Sequence, residues 1–191
     1  MEDKIKVALI YGSARKGRFC DTVARWVAEQ IARHDGFALE SIDPAVDSLQ
    51  TQAADDSPRG ESSLWQRVAE ADAFVVVTPE YNHGYPAPLK SLIDSVGAEW
   101  HAKPVAFVSY GGVSGGLRAV EQLRLVFAEL HTVTIRDAVS FAGAWEQFDE
   151  SGNLREPERH QRGMTIMLAR LRWWATALRA ARNAEPYARA A

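Results

Sequence analysis

Apolar runs alternate along this chain with segments in which apolar residues recur at helical spacing. This alternation limits most strongly the folds that the chain can adopt. Residues 73–77 (AFVVV) are apolar at every position, as a strand covered on both faces of a sheet must be. Four more strands are predicted, at residues 4–11, 37–42, 105–110 and 133–141, and helical spacing follows each of the first four strands in chain order. Strands alternating with helices predict an α/β fold, a parallel sheet with helices on both faces.

Five such units fit a flavodoxin-like sheet of order 2-1-3-4-5, in which the ligand lies where the loops after strands 1 and 3 meet. We expect a single domain over residues 1–191, because no repeat or linker divides the chain. Residues 43–62 are predicted to be a long loop, and a short helix follows it over residues 63–70. The spacing of apolar residues predicts a final helix through residues 164–178, with frayed residues from about 183 onward.

Composition excludes several classes of function. The net charge of −3 gives no basic excess for nucleic acid. The single cysteine, Cys20, rules out a disulfide within the chain and favours a reducing compartment. No apolar run approaches the roughly 20 residues of a membrane span, and the acidic N-terminus does not resemble a signal peptide. We therefore expect a cytoplasmic protein with no nucleic acid, membrane or metal partner.

The first strand is followed by a small, basic loop, residues 12–18 (GSARKGR). Small residues allow backbone amides to turn inward, and the helix that follows presents unpaired N–H groups with partial positive charge. Ser13 adds a hydroxyl, and Arg15 and Arg18 add guanidinium forks suited to phosphate. The loop lacks the patterns of triphosphate and dinucleotide sites, so a mononucleotide phosphate fits better. The alternative is an ordinary turn with exposed basic residues.

The third strand leads into residues 78–90 (TPEYNHGYPAPLK), a loop made rigid by its prolines. Glu80, Tyr81 and Asn82 offer an acid, a stacking ring and an amide to a flat heterocycle. The alternative is a rigid turn in which Asn82 is a capping residue. His83 is interpreted either as a proton donor or as a polar loop residue.

The fourth strand ends in residues 109–116 (SYGGVSGG), which hold four glycines within six positions. Glycine is needed where backbone approaches a ligand closely or adopts positive φ. Amides at Gly111 and Gly112 are predicted to face ring carbonyl oxygens, and Tyr110 to stack on or cap one edge. The alternative is a flexible loop before a helix.

Together these three loops resemble the NADPH-dependent FMN reductase family of flavoproteins, which includes quinone, azo-dye and chromate reductases. The similarity runs over about residues 7–130. The resemblance implies FMN as cofactor and NADPH or NADH as co-substrate. It also implies a set of cofactor-binding residues: Ser13, Arg15, Arg18, Cys20, Asp21, Thr22, Pro79, Glu80, Tyr81, Asn82, Ser109, Tyr110, Gly111 and Gly112. The Cys20 side chain is interpreted as a small packing residue or an incidental thiol near the helix start, because a thiol phosphatase would place its cysteine at the start of the loop and its arginine at the end.

The resemblance further implies ping-pong transfer from nicotinamide through flavin to a small acceptor: free flavin, quinone, azo compound or metal oxyanion. No catalytic acid or base is assigned. It also implies a homodimer or homotetramer, for which the residues Leu92, Ile93, Val96 and Trp100 are a candidate interface unless they form core. Gly84 and Ser91 depart from the serine and asparagine common in the family, so they leave the substrate open.

Two other functions share parts of this pattern. A flavodoxin-type electron carrier would hold FMN without oxidising NAD(P)H itself, although such carriers tend to be more acidic than −3. A regulatory or anion-binding module without flavin is the second alternative. A receiver domain needs aspartates at its strand ends, where this chain has Tyr11, Val77 and Tyr110.

Overall fold

The computed structural model describes residues 4–46 and 63–189 of the chain. Most of residues 43–62, predicted to be a long loop, lie outside the described residues. Five strands form one sheet: β1 (Ile5–Tyr11), β2 (Phe37–Ile42), β3 (Ala73–Pro79), β4 (Pro104–Gly111) and β5 (Val133–Ala142). All neighbours pair in parallel, in the order β2-β1-β3-β4-β5. The predicted flavodoxin-like sheet is therefore confirmed.

In the described part of the chain, six α-helices lie on the two faces of this sheet. They are α1 (Cys20–Ala32), α2 (Leu64–Glu70), α3 (Ala87–Asp94), α4 (Leu117–Glu129), α5 (Ala144–Gln147) and α6 (Pro157–Ala184). One hydrophobic core joins α1 and α6 to the sheet, and a second core joins α2, α3 and α4 to its opposite face. The burial of β3 and β4 at every position follows from this three-layer arrangement.

The structure corrects several local predictions. The four central residues of β2 are exposed rather than alternating, because β2 is an edge strand. Helix α6 has 28 residues and extends well beyond the predicted 164–178. The end of the described chain is not simply frayed, since the Tyr187 hydroxyl lies 2.9 Å from His131 Nδ1.

The candidate interface made by Leu92, Ile93, Val96 and Trp100 is core instead. All four residues are at most 3% exposed, and they belong to the cluster beneath α3 and α4. The Trp100 indole N–H donates to the carbonyls of Ile93 and Val96, which completes their burial. These residues are not available to a partner subunit.

The carboxyl ends of β1, β3 and β4 lie side by side. Tyr11 pairs with Val77, and Pro79 pairs with Tyr110. Gly12 continues this contact, because its N–H donates to the Val77 carbonyl at 2.7 Å, where a Cβ would lie only 2.6 Å from that oxygen. The three predicted loops therefore start from adjacent strands at one edge of the sheet. Within the described residues, no helix has the length and apolarity needed to cross a membrane.

Candidate functional site

A cavity of about 580 Å³ opens where the loops after β1, β3, β4 and β5 meet. This volume lies within the range of small-molecule and cofactor sites. Its lining consists of Arg15, Lys16, Gly17, Arg18, Phe19, Thr22, Pro79, Glu80, Tyr81, Tyr110, Gly111, Gly112 and Trp145. The structure thus brings together the basic first loop, the rigid third loop and the glycine-rich fourth loop. Ser13, Cys20, Asp21, Asn82 and Ser109 were also predicted site residues, and they lie behind or beside this lining.

Ser13 connects the first loop to the third. It is fully buried, its Oγ lies 2.9 Å from the Tyr81 hydroxyl, and it also accepts a hydrogen bond from the Arg15 amide at 3.3 Å. The Ser13 hydroxyl, which was predicted to bind phosphate, is therefore hydrogen-bonded to the Tyr81 hydroxyl of the third loop. This contact fixes the position of the first loop relative to Tyr81.

Arg15 provides the exposed positive charge nearest to the aromatic end. Its guanidinium carbon stands 4.1 Å from the centroid of the Tyr81 ring, in cation–π contact. Lys16 also lines the cavity and is exposed. The pair forms a positive rim on which an anionic group can bind.

Arg18 lies beside Arg15 in sequence but has a different environment. Its side chain is only 8% exposed and forms ion pairs with Asp21 and Asp43. It also donates to the Ser13 carbonyl and stands 5.1 Å from the Tyr11 ring centroid. The guanidinium predicted to hold phosphate is mostly engaged by protein acceptors.

The start of α1 supplies backbone N–H groups beneath this rim. Phe19 is the N-cap residue and forms no side-chain hydrogen bond to the helix, which leaves the first amides, including those of Cys20 and Asp21, for another acceptor. The Thr22 amide already donates to the Phe19 carbonyl at 3.1 Å. The amides that precede Thr22 are therefore the ones left for an acceptor at the start of this helix.

The Cys20 side chain faces the protein interior. It is fully buried, with its Sγ 3.8 Å from the Val77 carbonyl oxygen. Burial raises the pKa of its thiol, so the thiol stays protonated near neutral pH. Only the backbone of Cys20 can reach the cavity, which agrees with the expectation that the side chain packs.

The third loop forms a tight turn over residues 81–84. Tyr81 and Gly84 exchange two backbone hydrogen bonds, and the turn residues Asn82 and His83 both have positive φ, at 51° and 67°. Asparagine tolerates this conformation better than most residues, which explains Asn82 at the first of these positions. Both side chains are exposed, and the His83 carbonyl accepts a hydrogen bond from Gln122.

The carboxylate of Glu80 is bonded to the fourth loop and to the start of α4. It accepts hydrogen bonds from the Ser114 hydroxyl at 2.7 Å, from the Arg118 amide at 3.1 Å and from the Arg118 guanidinium at 2.8 Å. Burial alone would raise the pKa of Glu80, but these hydrogen bonds outweigh it and lower the pKa. Glu80 therefore joins the third loop to the start of α4.

The fourth loop folds back on its own strand. The Ser109 hydroxyl donates to the Gly115 carbonyl at 2.8 Å, so it serves the loop rather than the cavity. Gly116 has a φ of 84°, and a Cβ there would lie 2.8 Å from Ser109 Cβ. Tyr110 is buried, with its ring packed 5.8 Å from that of Phe19. Gly111 and Gly112 present this turn of backbone to the cavity.

The segment after β5 also lines the cavity, and the sequence did not predict it as part of the site. Trp145 in α5 lines the cavity, is 60% exposed and lies 6.3 Å from the Phe19 ring centroid. The Gly143 amide donates to the Gly112 carbonyl at 3.0 Å and ties this segment to the fourth loop. A glycine and a tryptophan directly after β5 were the available signals, since β5 ends at the same edge of the sheet.

The chemistry of these groups fits FMN. One end of the cavity holds two exposed cations and the amides at the start of α1, as a phosphate requires. The other end holds glycine backbone, Tyr81 and Trp145, as a flat aromatic ring requires. Among the described residues, no cluster of three or more histidine, cysteine or acidic side chains could hold a metal ion.

Comparison with known proteins also supports a flavin-dependent family. Residues 5–146 match the family described as NADPH-dependent FMN reductase. An NAD(P)H-dependent FMN reductase of Schizosaccharomyces pombe is 41% identical over 120 residues, which cover 58% of this chain and 60% of that protein. An NAD(P)H:quinone oxidoreductase of Solanum tuberosum is 33% identical over 178 residues, which cover 86% of this chain and 90% of that protein.

Solved structures share the fold at lower identity. The flavoenzyme NAD(P)H:acceptor oxidoreductase FerB of Paracoccus denitrificans has a TM-score of 0.63 and 21% identity, and covers 91% of this chain and 98% of its own. Because the family match spans most of the sequence and includes the first, third and fourth loops, the chain belongs to the NADPH-dependent FMN reductase family, whose members use FMN and NAD(P)H.

Proposed function

We propose that this protein is an FMN-containing oxidoreductase that takes electrons from NADPH or NADH and passes them to a small acceptor. The observation that carries the proposal is that Arg15, Tyr81 and Gly111 line one cavity, although they come from three different loops. Relatives named as FMN reductases and quinone oxidoreductases support it.

The basic end of the cavity is proposed to bind the FMN phosphate. Arg15 and Lys16 contribute the charge, and the amides of Cys20 and Asp21 at the start of α1 contribute hydrogen bonds. Thr22 lies in the lining next to them. One compact anion site supports a mononucleotide rather than a dinucleotide as the ligand.

The aromatic end is proposed to hold the isoalloxazine ring. When FMN is bound, this ring supplies the hydride chemistry between NAD(P)H and the acceptor, with the two substrates binding in ping-pong order. Backbone amides near Asn82 and at Gly111 and Gly112 stabilise negative charge on the ring. Tyr81 and Trp145 line this end of the cavity and would contact the ring. No side chain is required as a catalytic acid or base for hydride arrival.

Free flavin, quinone, azo compound and metal oxyanion are all proposed as acceptor classes. A homodimer or homotetramer and a cytoplasmic location are also proposed, from the family resemblance and the single buried cysteine. Because the helix residues first considered for the interface are core, the subunit contact involves other surfaces. Sedimentation of the purified protein measures the number of subunits.

The absorption spectrum of the purified, FMN-reconstituted protein tests the proposal. We expect a yellow protein whose flavin absorbance bleaches on anaerobic addition of NADPH or NADH and returns when a quinone is added. A protein that binds FMN but is not bleached, and does not consume NADPH with quinone in the steady state, is a flavodoxin-type carrier. A protein that binds no FMN belongs to the second alternative, a module without flavin.

A further inference from the structure

The guanidinium of Arg18 has almost no donors left for a ligand. Its Nε donates to Asp21 Oδ1 at 2.8 Å, one terminal nitrogen donates to Asp43 Oδ1 at 2.7 Å and to the Ser13 carbonyl, and the other donates to Asp43 Oδ2. A guanidinium carries five N–H groups, and these contacts use four of them. Arg18 therefore cannot offer a two-donor fork to a phosphate.

The charge around Arg18 leads to the same conclusion. Two carboxylates surround one guanidinium, so this cluster carries one net negative charge. Burial alone would raise the pKa of Asp43, but the hydrogen bonds from Arg18 and the Ala45 amide, together with the charge of Arg18, outweigh it and lower the pKa, which keeps the carboxylate ionised. The charge of Arg18 is paired in this way, whereas Arg15 and Lys16 are the exposed cations of the cavity lining.

Arg18 instead fixes the orientation of the first loop. In a trans peptide the C=O and the next N–H point in opposite directions, so the bond from Arg18 to the Ser13 carbonyl turns the Ala14 amide away from Arg18. Asp43 follows the last residue of β2 and is itself held by the Ala45 amide at 2.9 Å. The edge strand thus holds the guanidinium, and the guanidinium holds the loop.

We propose that Asp43 is a positioning residue that acts through Arg18 to keep the first loop in the conformation that recognises the phosphate of FMN. This inference rests on the proposed function. It assigns a role to the end of β2, a segment outside the cavity lining, and it assigns Arg18 to loop geometry rather than to ligand contact.

The substitution Asp43→Asn separates positioning from direct electrostatics. Asparagine keeps an oxygen for the Ala45 amide but removes the charge and one acceptor for Arg18. We expect the dissociation constant of FMN, measured by flavin fluorescence quenching, to rise about tenfold or more, while that of riboflavin changes less than about threefold. If Arg18 bound phosphate directly, the same substitution would release it and remove a repulsive charge. FMN binding that is unchanged or tighter would overturn the proposal.

Two further variants complete the test. Glu40→Gln removes a carboxylate of β2 that pairs with Arg67 at 2.5 Å, without contact to the first loop, and is expected to leave both flavin affinities unchanged. Arg18→Lys keeps the charge but loses the fork, and is expected to lose FMN selectivity as Asp43→Asn does. If Asp43→Asn does not fold, as judged by circular dichroism, Asp43→Glu carries the test, because it keeps the charge but displaces the carboxylate that holds Arg18.

The outcomes distinguish a failure of the proposed function from a failure of the positioning role of Asp43. A wild type that binds neither flavin contradicts the proposed function itself. A wild type that binds FMN, with Asp43→Asn and Arg18→Lys variants that lose FMN and riboflavin equally, contradicts only the positioning role, because a general loss of packing would affect both flavins.

Discussion

Neighbouring arginines of one loop have different roles in this structure. The sequence predicts Arg15 and Arg18 alike as phosphate ligands, because both are guanidinium groups in a short turn before a helix. The structure separates them, since Arg15 lies over the Tyr81 ring at the cavity and Arg18 is paired with Asp43. The nearby Asp21 is a local partner of Arg18, but the second carboxylate, Asp43, follows the end of β2, 25 residues away, and no local pattern reveals it.

The role of Arg15 can be measured against that of Lys16. Both side chains are exposed in the cavity lining and carry one positive charge, so their removal has the same effect on net charge. Arg15 is held in place by Tyr81 and has a planar fork, whereas Lys16 is a single flexible ammonium. We expect Arg15→Ala to weaken FMN binding about 10- to 100-fold and Lys16→Ala less than about threefold, by fluorescence titration.

Riboflavin provides the internal control for this pair. Because it lacks the phosphate, its affinity is expected to change little in Arg15→Ala. Equal losses of FMN affinity in the two variants would show that the basic rim acts only through its total charge, and would contradict the assignment of Arg15.

At the scale of elements, apolar periodicity predicted the strands well and the last helix poorly. The buried strands are found within two residues of their predicted ends. Strand β3 extends past its apolar run, which stops at Val77, because Thr78 and Pro79 are buried as well. Helix α6 is longer than predicted because its buried residues lie between Met164 and Ala175, while its ends are exposed and polar. Pro157 at its first turn was the remaining signal for its start.

A buried lysine joins two elements on the side of the sheet opposite the cavity. Lys103, just before β4, is 5% exposed, and its Nζ donates at 2.7 Å to the carbonyls of both Val68 and Ala69 at the end of α2. Burial, assisted by the nearby charge of Arg182, lowers the pKa of Lys103 to about 8. In the unfolded chain the pKa of a lysine is about 10.4.

This difference predicts that stability increases at alkaline pH through Lys103. Between pH 8 and about 10 the unfolded chain binds more protons at this site than the folded protein, so the unfolding free energy rises with pH. The gain in unfolding free energy from Lys103 is complete above the pKa of this lysine in the unfolded chain, and it is lost as the pH falls through 8. Urea denaturation of the wild type and Lys103→Met at pH 8, 9 and 10 measures it.

Taking the difference between the two proteins removes the titration of all other groups. We expect the unfolding free energy of the wild type relative to that of Lys103→Met to increase by about 1–3 kcal/mol from pH 8 to pH 10. The pKa difference of Lys103 between the folded and unfolded states sets the upper end of this range. A difference that stays constant with pH would show that Lys103 keeps an ordinary pKa in the folded protein.

For the whole molecule, the order of the strands in the sheet determined which parts of the site could be predicted from the sequence. Loops after β1, β3 and β4 converge because these strands are neighbours, and their glycines and prolines marked them in advance. Trp145 was missed because only one glycine, Gly143, separates β5 from the short helix α5, which is a weaker signal than the glycine and proline clusters of the other loops. The family assignment predicted from three loops is confirmed, whereas the contacts of Arg18 and Glu80 depended on tertiary structure.

A cavity formed by four loops makes the stability of the molecule depend on its ligand. A ligand that binds only the folded protein at 100 times its dissociation constant adds about 2.7 kcal/mol to the unfolding free energy. For a chain of 191 residues, this raises the midpoint of thermal unfolding by about 5–10 °C. We expect this shift with FMN in differential scanning fluorimetry, and a smaller shift with riboflavin at the same concentration, because the phosphate end stays empty. Arg15→Ala should reduce the FMN shift toward that of riboflavin. Equal shifts for FMN and riboflavin in the wild type would mean that the first loop does not recognise phosphate, and the basic rim would then need another ligand.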